Sequence, residues 1–186
     1  MQTKKPYYLV AIPNGDVMVE LLRLQKFISR RFGMYQPPYP TLHLTVGIIE
    51  SRHHIDQVFP VLKHIADECE ILSAHIDSER CFPSPFSSVG VAVDSDKLAY
   101  LAGHVEGALL KTGLTPRTFS GWKFHINLVS PLYAKRLWST HEFLEACKIV
   151  KVHGPNDLCY LSGLELWAPD FPPLTVLERF PFKARL

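Results

Sequence analysis

Apolar residues recur along this chain at two periods, and the alternation of the two marks out its elements. Short runs with polar punctuation predict strands at Tyr7 to Ile12, at LHLTVGIIE (42–50), at Glu70 to Asp77, at Val89 to Val93 and at FHINLV (124–129). Three more are expected at Ile149 to Val152, Leu158 to Trp167 and Thr175 to Phe182. Helical spacing predicts helices over Asp16 to Phe32, Ile55 to Cys69, Lys97 to Lys111 and Thr140 to Cys147. In the first of these the apolar positions are Val19, Leu22 and Phe27 with the neighbouring Leu21, Leu24 and Ile28, and Gly33 ends the run. Three prolines in YQPPYPT (35–41) forbid regular structure and deliver the chain stiffly into the strand that follows. CFPSPFSS (81–88) reads as a turn, and TGLTPRTFSG (112–121) as a loop. Helices and strands interleave throughout, which predicts sheets covered by helices in an α/β or α+β arrangement.

Two of these strands are not dry. LHLTVGIIE places His43 and Thr45 among Leu42, Leu44, Val46, Ile48 and Ile49; FHINLVS places His125 and Asn127 among Phe124, Ile126, Leu128 and Val129. Side chains alternate across a strand, so each polar pair shares one face, ~6.6–7 Å apart at the backbone, while its apolar neighbours face the core. That separation suits one small anion held between an imidazole and a hydrogen-bonding group, with Gly47 expected next on the same face to leave room. The two histidines are 82 residues apart, and Cys69 and Cys81 recur as Cys147 and Cys159 at the same internal gap of 12, an echo of two related halves. Two histidines from two comparable strands are what a symmetric acid/base site requires, because imidazole exists in both protonation states near neutrality.

Composition narrows the field without choosing within it. With 47% hydrophobic and 20% charged residues over 186 positions the chain can bury a core, and disorder is excluded as a reading. A net charge of +2 advertises neither duplex DNA nor anionic lipid but leaves room for a local basic cleft. The opening MQTKKPYYLVAIPNG lacks a secretory h-region, and no window nears the ~18 consecutive apolar residues of a membrane span, so a cytoplasmic monomer that avoids membranes is expected. Four cysteines without a CxxC pair are expected as reduced thiols. GxSxG, GxGxxG and Walker sequences are absent. His53-His54 reads as a helix start, though a metal hydrolase built on His43, His53 and His125 stands as a third alternative.

The motifs HLTV (43–46) and HINL (125–128), the opening YYLVAIP, and the closing LSGLELWAPD and TVLERFPF resemble the 2H phosphoesterase superfamily, which includes RNA 2′,3′-cyclic phosphodiesterases, formerly called 2′-5′ RNA ligases. The resemblance follows element order over nearly the whole chain. It implies a bilobal α+β domain over 1–186, two antiparallel-rich sheets with outer helices related by a pseudo-twofold around a cleft, and one motif in each lobe. It also implies catalysis with no metal and no cofactor. Carried onto this sequence, His43 and His125 are the acid/base pair and Thr45 donates to a phosphate oxygen. Asn127 stands where the family has Thr or Ser; its amide still donates, with a different reach. The family's basic residue after the second motif is missing, since Leu128, Val129, Ser130 and Pro131 follow, and Lys123, Arg117, Arg80 or Lys135 could supply that charge. Tyr39, Trp122 and Lys123 are the expected substrate contacts, aromatic walls and a cation for RNA ends, oligonucleotides or cyclic nucleotides. The implied reaction is cleavage of a 2′,3′-cyclic phosphate or of a 2′-5′ phosphodiester. A catalytically weak nucleotide-binding module of the same fold is the rival, motivated by Asn127.

Overall fold

Alternating and helical apolar patterns become eight strands and four helices in a computed structural model that describes residues 6–50, 55–114, 116–118, 123–168 and 175–184. In chain order these are β1 (Tyr7–Asn14), α1 (Val17–Phe32), β2 (Leu44–Ile49), α2 (Val58–Glu68), β3 (Leu72–Phe82), β4 (Ser88–Asp94), α3 (Asp96–Lys111), β5 (Pro116–Thr118), β6 (His125–Val129), α4 (Thr140–His153), β7 (Asp157–Ala168) and β8 (Thr175–Pro181). Antiparallel pairing runs β1–β2–β6–β4–β3–β7, and β7 pairs back onto β1, so the sheet closes on itself. The short β5 extends β2, and β8 lies along β7. Closure removes the unpaired edges that an open sheet would leave.

The ring is built twice from one plan. The order β1-α1-β2-α2-β3 repeats as β4-α3-β6-α4-β7, with β5 inserted, and the pairings of the closed ring match: β1–β2 with β4–β6, β3–β4 with β7–β1. Even the irregularities match. In β2 the register slips between Leu9↔Gly47 and Val10↔Thr45; in β6 it slips between Val89↔Val129 and Gly90↔Asn127. Each motif strand therefore carries one extra residue, Val46 or Leu128, directly after its second polar group. Such a bulge re-aims the chain beside a site. The expected α+β architecture is present, with the two sheets joined into one closed ring.

The core fills the space between sheet and helices. Leu9, Leu21, Ile28, Leu44, Leu62, Ile76, Leu98, Leu109, Ile126, Leu128 and Leu161 are fully buried within one cluster. Helix α1 turns Val17, Leu21, Leu24, Ile28 and Phe32 inward, an i, i+4, i+7, i+11, i+15 stripe, and ends at Gly33 in the left-handed region at φ 62°. Val19, Leu22 and Phe27 are instead exposed, because the true stripe begins two residues earlier, at Val17.

Four other expectations are corrected. Ile149 to Val152 is the last part of α4 and not a strand: a Ser139/Glu142 capping box starts the helix, and Phe143, Ala146 and Val150 keep helical spacing through it. Cys81 and Phe82 continue β3 and are not turn residues, and TGLTPRTFSG contains β5. Cys81 on β3 and Cys147 on α4 form a disulfide, so the expectation of four reduced thiols fails; α4 packs on β3 and brings the two together, while Cys69 and Cys159 are free.

Candidate active site

The two motif strands meet at one residue pair. Leu44 on β2 faces Ile126 on β6, and both side chains are buried. Carrying this antiparallel register one residue either way sets His43 opposite Asn127 and Thr45 opposite His125, on the face away from the core. Directly opposed residues have Cβ atoms about 4.5–5.5 Å apart. The four polar side chains named from sequence thus form a compact square with the pseudo-twofold through its centre. Gly47 does not continue this face: the bulge at Val46 turns it to the buried side with Ile49.

Each imidazole is held in the same way. Nδ1 of His43 lies 2.9 Å from the Thr41 carbonyl, and Nδ1 of His125 lies 3.4 Å from the Lys123 carbonyl, two residues upstream in both cases. A carbonyl only accepts, so Nδ1 carries the proton and Nε2 is the basic nitrogen of each neutral ring. Each ring also leans on an aromatic from the strand two along the ring. Trp167 of β7 lies 4.6 Å from His43 and tilted by 58°; Phe82 of β3 lies 4.5 Å from His125 and tilted by 52°. Burial against these surfaces pushes both imidazoles below their ordinary pKa of 6.5, opposed by the backbone carbonyls. His125 is lowered further by the charges of Arg80 and His43.

The loop entering the first motif is tied to the second. The Tyr35 hydroxyl accepts from the Ser130 backbone N–H at 2.6 Å and donates to the Ser130 carbonyl at 3.1 Å, bridging the proline-rich segment to the end of β6. The Gln25 amide on α1 donates to the Pro40 carbonyl at 3.0 Å. Asn127 brings an unusual feature: its Oδ1 is buried with no hydrogen-bond partner among the described residues. Burying an acceptor without a partner costs stability.

Other expected contacts fare differently. Tyr39 is half-buried and packs on the core cluster. Lys123 is exposed, and its backbone carbonyl is what supports His125. Trp122, His53 and His54 lie outside the described residues. Among the described residues Phe82 and Trp167 are the aromatics that touch the histidines, and Phe82 escaped the sequence reading because it stood in an apparent turn. Among the described residues no three His, Cys, Asp or Glu side chains converge as metal ligands, and no helix is long and apolar enough to cross a membrane.

Comparison with known proteins places this fold. TT0787 of Thermus thermophilus superposes with a TM-score of 0.69 at 15% identity, covering 97% of this chain and 100% of that one. E. coli LigT complexed with 3'-AMP gives 0.57 at 16% identity over 96% and 99% of the two chains. The MHV ns2 PDE domain gives 0.53 at 15% identity over 68% of this chain and 83% of that one. No family model and no curated protein sequence matches the chain. The likeness is one of fold, and in fold the resemblance to 2H phosphoesterases is borne out.

Proposed function

We propose that this chain is a 2H phosphoesterase, a single bilobal domain that cleaves a 2′,3′-cyclic phosphate or a 2′-5′ phosphodiester of RNA or an oligonucleotide by two-histidine acid/base catalysis. One observation carries the reading: His43 and His125, equivalent under the pseudo-twofold, share one face with Thr45 and Asn127, and both direct Nε2 away from the backbone that holds Nδ1. LigT, whose fold is shared, has been seen with phosphate and with 3'-AMP, which supports a nucleotide phosphate as the occupant of the equivalent cleft here.

The chemistry follows from that placement. One neutral imidazole takes the proton of the attacking oxygen, from water on a cyclic phosphate or from the adjacent ribose hydroxyl on a 2′-5′ link. The other, protonated, gives its Nε2 proton to the departing oxygen. Nδ1 of each ring keeps its carbonyl through both steps, so neither ring swings during proton transfer. Thr45 and the Asn127 amide donate to nonbridging oxygens as charge builds on phosphorus. No step calls on a metal.

Assay of 2′,3′-cyclic nucleotides, 2′-5′ oligoadenylates and ordinary 3′-5′ RNA, with and without EDTA, tests this. We expect hydrolysis of one of the first two classes that survives EDTA. His43→Ala and His125→Ala should each lower kcat by about 10²–10⁴-fold, with unchanged far-UV circular dichroism. Full activity in either variant rejects the mechanism. Asn127 in place of Thr or Ser motivates the rival, a nucleotide-binding module with poor turnover; nucleotide affinity in a wild-type protein that cleaves none of the panel would select it.

A further inference from the structure

Four cations could replace the family's missing charge, and the fold separates them. Arg117 pairs with Glu50 on β5's side of the sheet, Lys135 donates to Gln36, and Lys123 is exposed. Arg80 is different. Its guanidinium lies 5.9 Å from the Phe82 ring centre, and that ring is the one against His125. Among the described residues no carboxylate stands within ion-pair distance of it.

A bulge decides where Arg80 points. In β3 the pairing with β4 slips between Ile76↔Val93 and Glu79↔Val91, one extra residue on β3. Before the slip Leu72, Ala74 and Ile76 are the buried side. After it the odd residues face the helices: Glu79 pairs with Lys151 of α4, and Cys81 is bonded to Cys147 of α4. Arg80 and Phe82 are thereby turned to the face that carries the histidines. Arg80 pairs with Gly90, and Gly90 pairs with Asn127, so one row across the sheet runs Arg80, Gly90, Asn127. Arg80 and Asn127 are two strands apart, ~10 Å at the backbone, with no side chain on the strand between them.

The pseudo-twofold supplies the contrast. The equivalent row is Glu165, Val10, Thr45, and Glu165 precedes Trp167 as Arg80 precedes Phe82. Glu165 accepts from the Trp167 indole N–H at 2.8 Å and from Arg179 Nε at 2.9 Å. A site otherwise duplicated is therefore broken in charge at one position, with a guanidinium on the His125 side and an engaged carboxylate on the His43 side. The cation–π contact with Phe82 holds the guanidinium, whose planar fork suits a tetrahedral anion, on the His125 side.

We propose that Arg80 is the anion-binding residue of this cleft, holding a nonbridging phosphate oxygen on the His125–Asn127 side in place of the basic residue absent after the second motif. The inference rests on the reading of the cleft as a phosphoester site, and its test separates the two. Inorganic phosphate and 3'-AMP are titrated into the intact protein by calorimetry, alongside turnover assays and NMR titration of the His125 ring. Arg80→Ala should weaken both ligands at least tenfold, Arg80→Lys should recover part of the loss, and Lys63→Ala, an exposed control, should change nothing. Arg80→Ala should also raise the His125 pKa, which a merely structural residue would not do. Binding that depends on Arg80 in a protein without turnover upholds this assignment and rejects the diesterase. Turnover and phosphate affinity that both survive Arg80→Ala in a folded variant do the reverse, as would an equal loss from Arg117→Ala or Lys135→Ala. A wild-type protein that neither binds phosphate nor turns over sinks both.

Discussion

His43 and His125 are each pressed between a backbone carbonyl and an aromatic ring, and that environment sets their protonation. Burial lowers both from 6.5, so the singly protonated pair that acid/base catalysis needs is populated in the free protein below that value. The bell of kcat/KM against pH should be centred below 6.5, and a centre above 7 would contradict so dry an environment for the two rings. Stability has the same sign. The unfolded chain binds protons at these histidines from about 6.5 downward while the folded protein resists, so stability is fully present above 6.5 and declines as pH falls below it. Urea midpoints taken from pH 7.5 to 5 should fall for the wild type and fall less for His43→Asn. That His43 and Thr45, and His125 and Asn127, share the face away from the core was legible in the sequence, because side chains spaced by two lie on one side of a strand. Arg80 and Phe82 could only be named as a spare cation and a turn residue, since their direction depends on a bulge that leaves no local mark.

At the scale of the element, bulges and glycines carry the information that periodicity omits. A period of two holds through Thr45 and Asn127, then loses phase at Val46 and Leu128, which is why the sequence pattern puts Gly47 on the wrong face. Helix α4 reads too short for a related reason: Ile149, Val150 and Val152 are β-branched, yet the cap and the Phe143–Ala146–Val150 stripe outweigh that preference. Glycine positions give a paired test. A Cβ on Gly90 would lie 2.1 Å from the Ile126 carbonyl oxygen, on backbone that cannot yield cheaply. Gly90→Ala should cost about 1–3 kcal/mol and displace Asn127, with a loss of turnover exceeding the loss of folded protein. Gly103 sits inside α3 with nothing within 4 Å of the added Cβ, so Gly103→Ala should raise stability by about 0.5–1 kcal/mol and leave turnover alone. Thermal melts and activity on both variants check the contrast; equal behaviour would refute the close approach of β4 and β6.

Across the whole molecule, the repeated plan was visible in sequence as the two matching motif strands 82 residues apart, while the cysteine spacing proves unrelated to it, since Cys81 is equivalent to Leu166 and not to Cys159; closure of the ring was not visible, because β3–β7 and β7–β1 pairing joins segments with no shared motif. The disulfide bears on that closure. Cys81 belongs to β3 in the first half and Cys147 to α4 in the second, so the bond ties the two halves together behind the strand that presents Arg80 and Phe82. With a sequence separation of 66, the cross-link restricts the unfolded chain by on the order of 4 kcal/mol on the chain-entropy account. Thiol titration of the denatured, unreduced protein should count two free cysteines, Cys69 and Cys159. Burial pushes the Cys159 thiol up to about 11, so in the native state it should react far more slowly than Cys69. A Cys81→Ser/Cys147→Ser double variant should lower the urea midpoint by an amount worth about 2–4 kcal/mol. Because the bond anchors β3 directly beside Phe82, the same variant should weaken phosphate binding as well as stability. Four reactive thiols, or an unchanged midpoint in the double variant, would show that the halves are held by sheet closure alone.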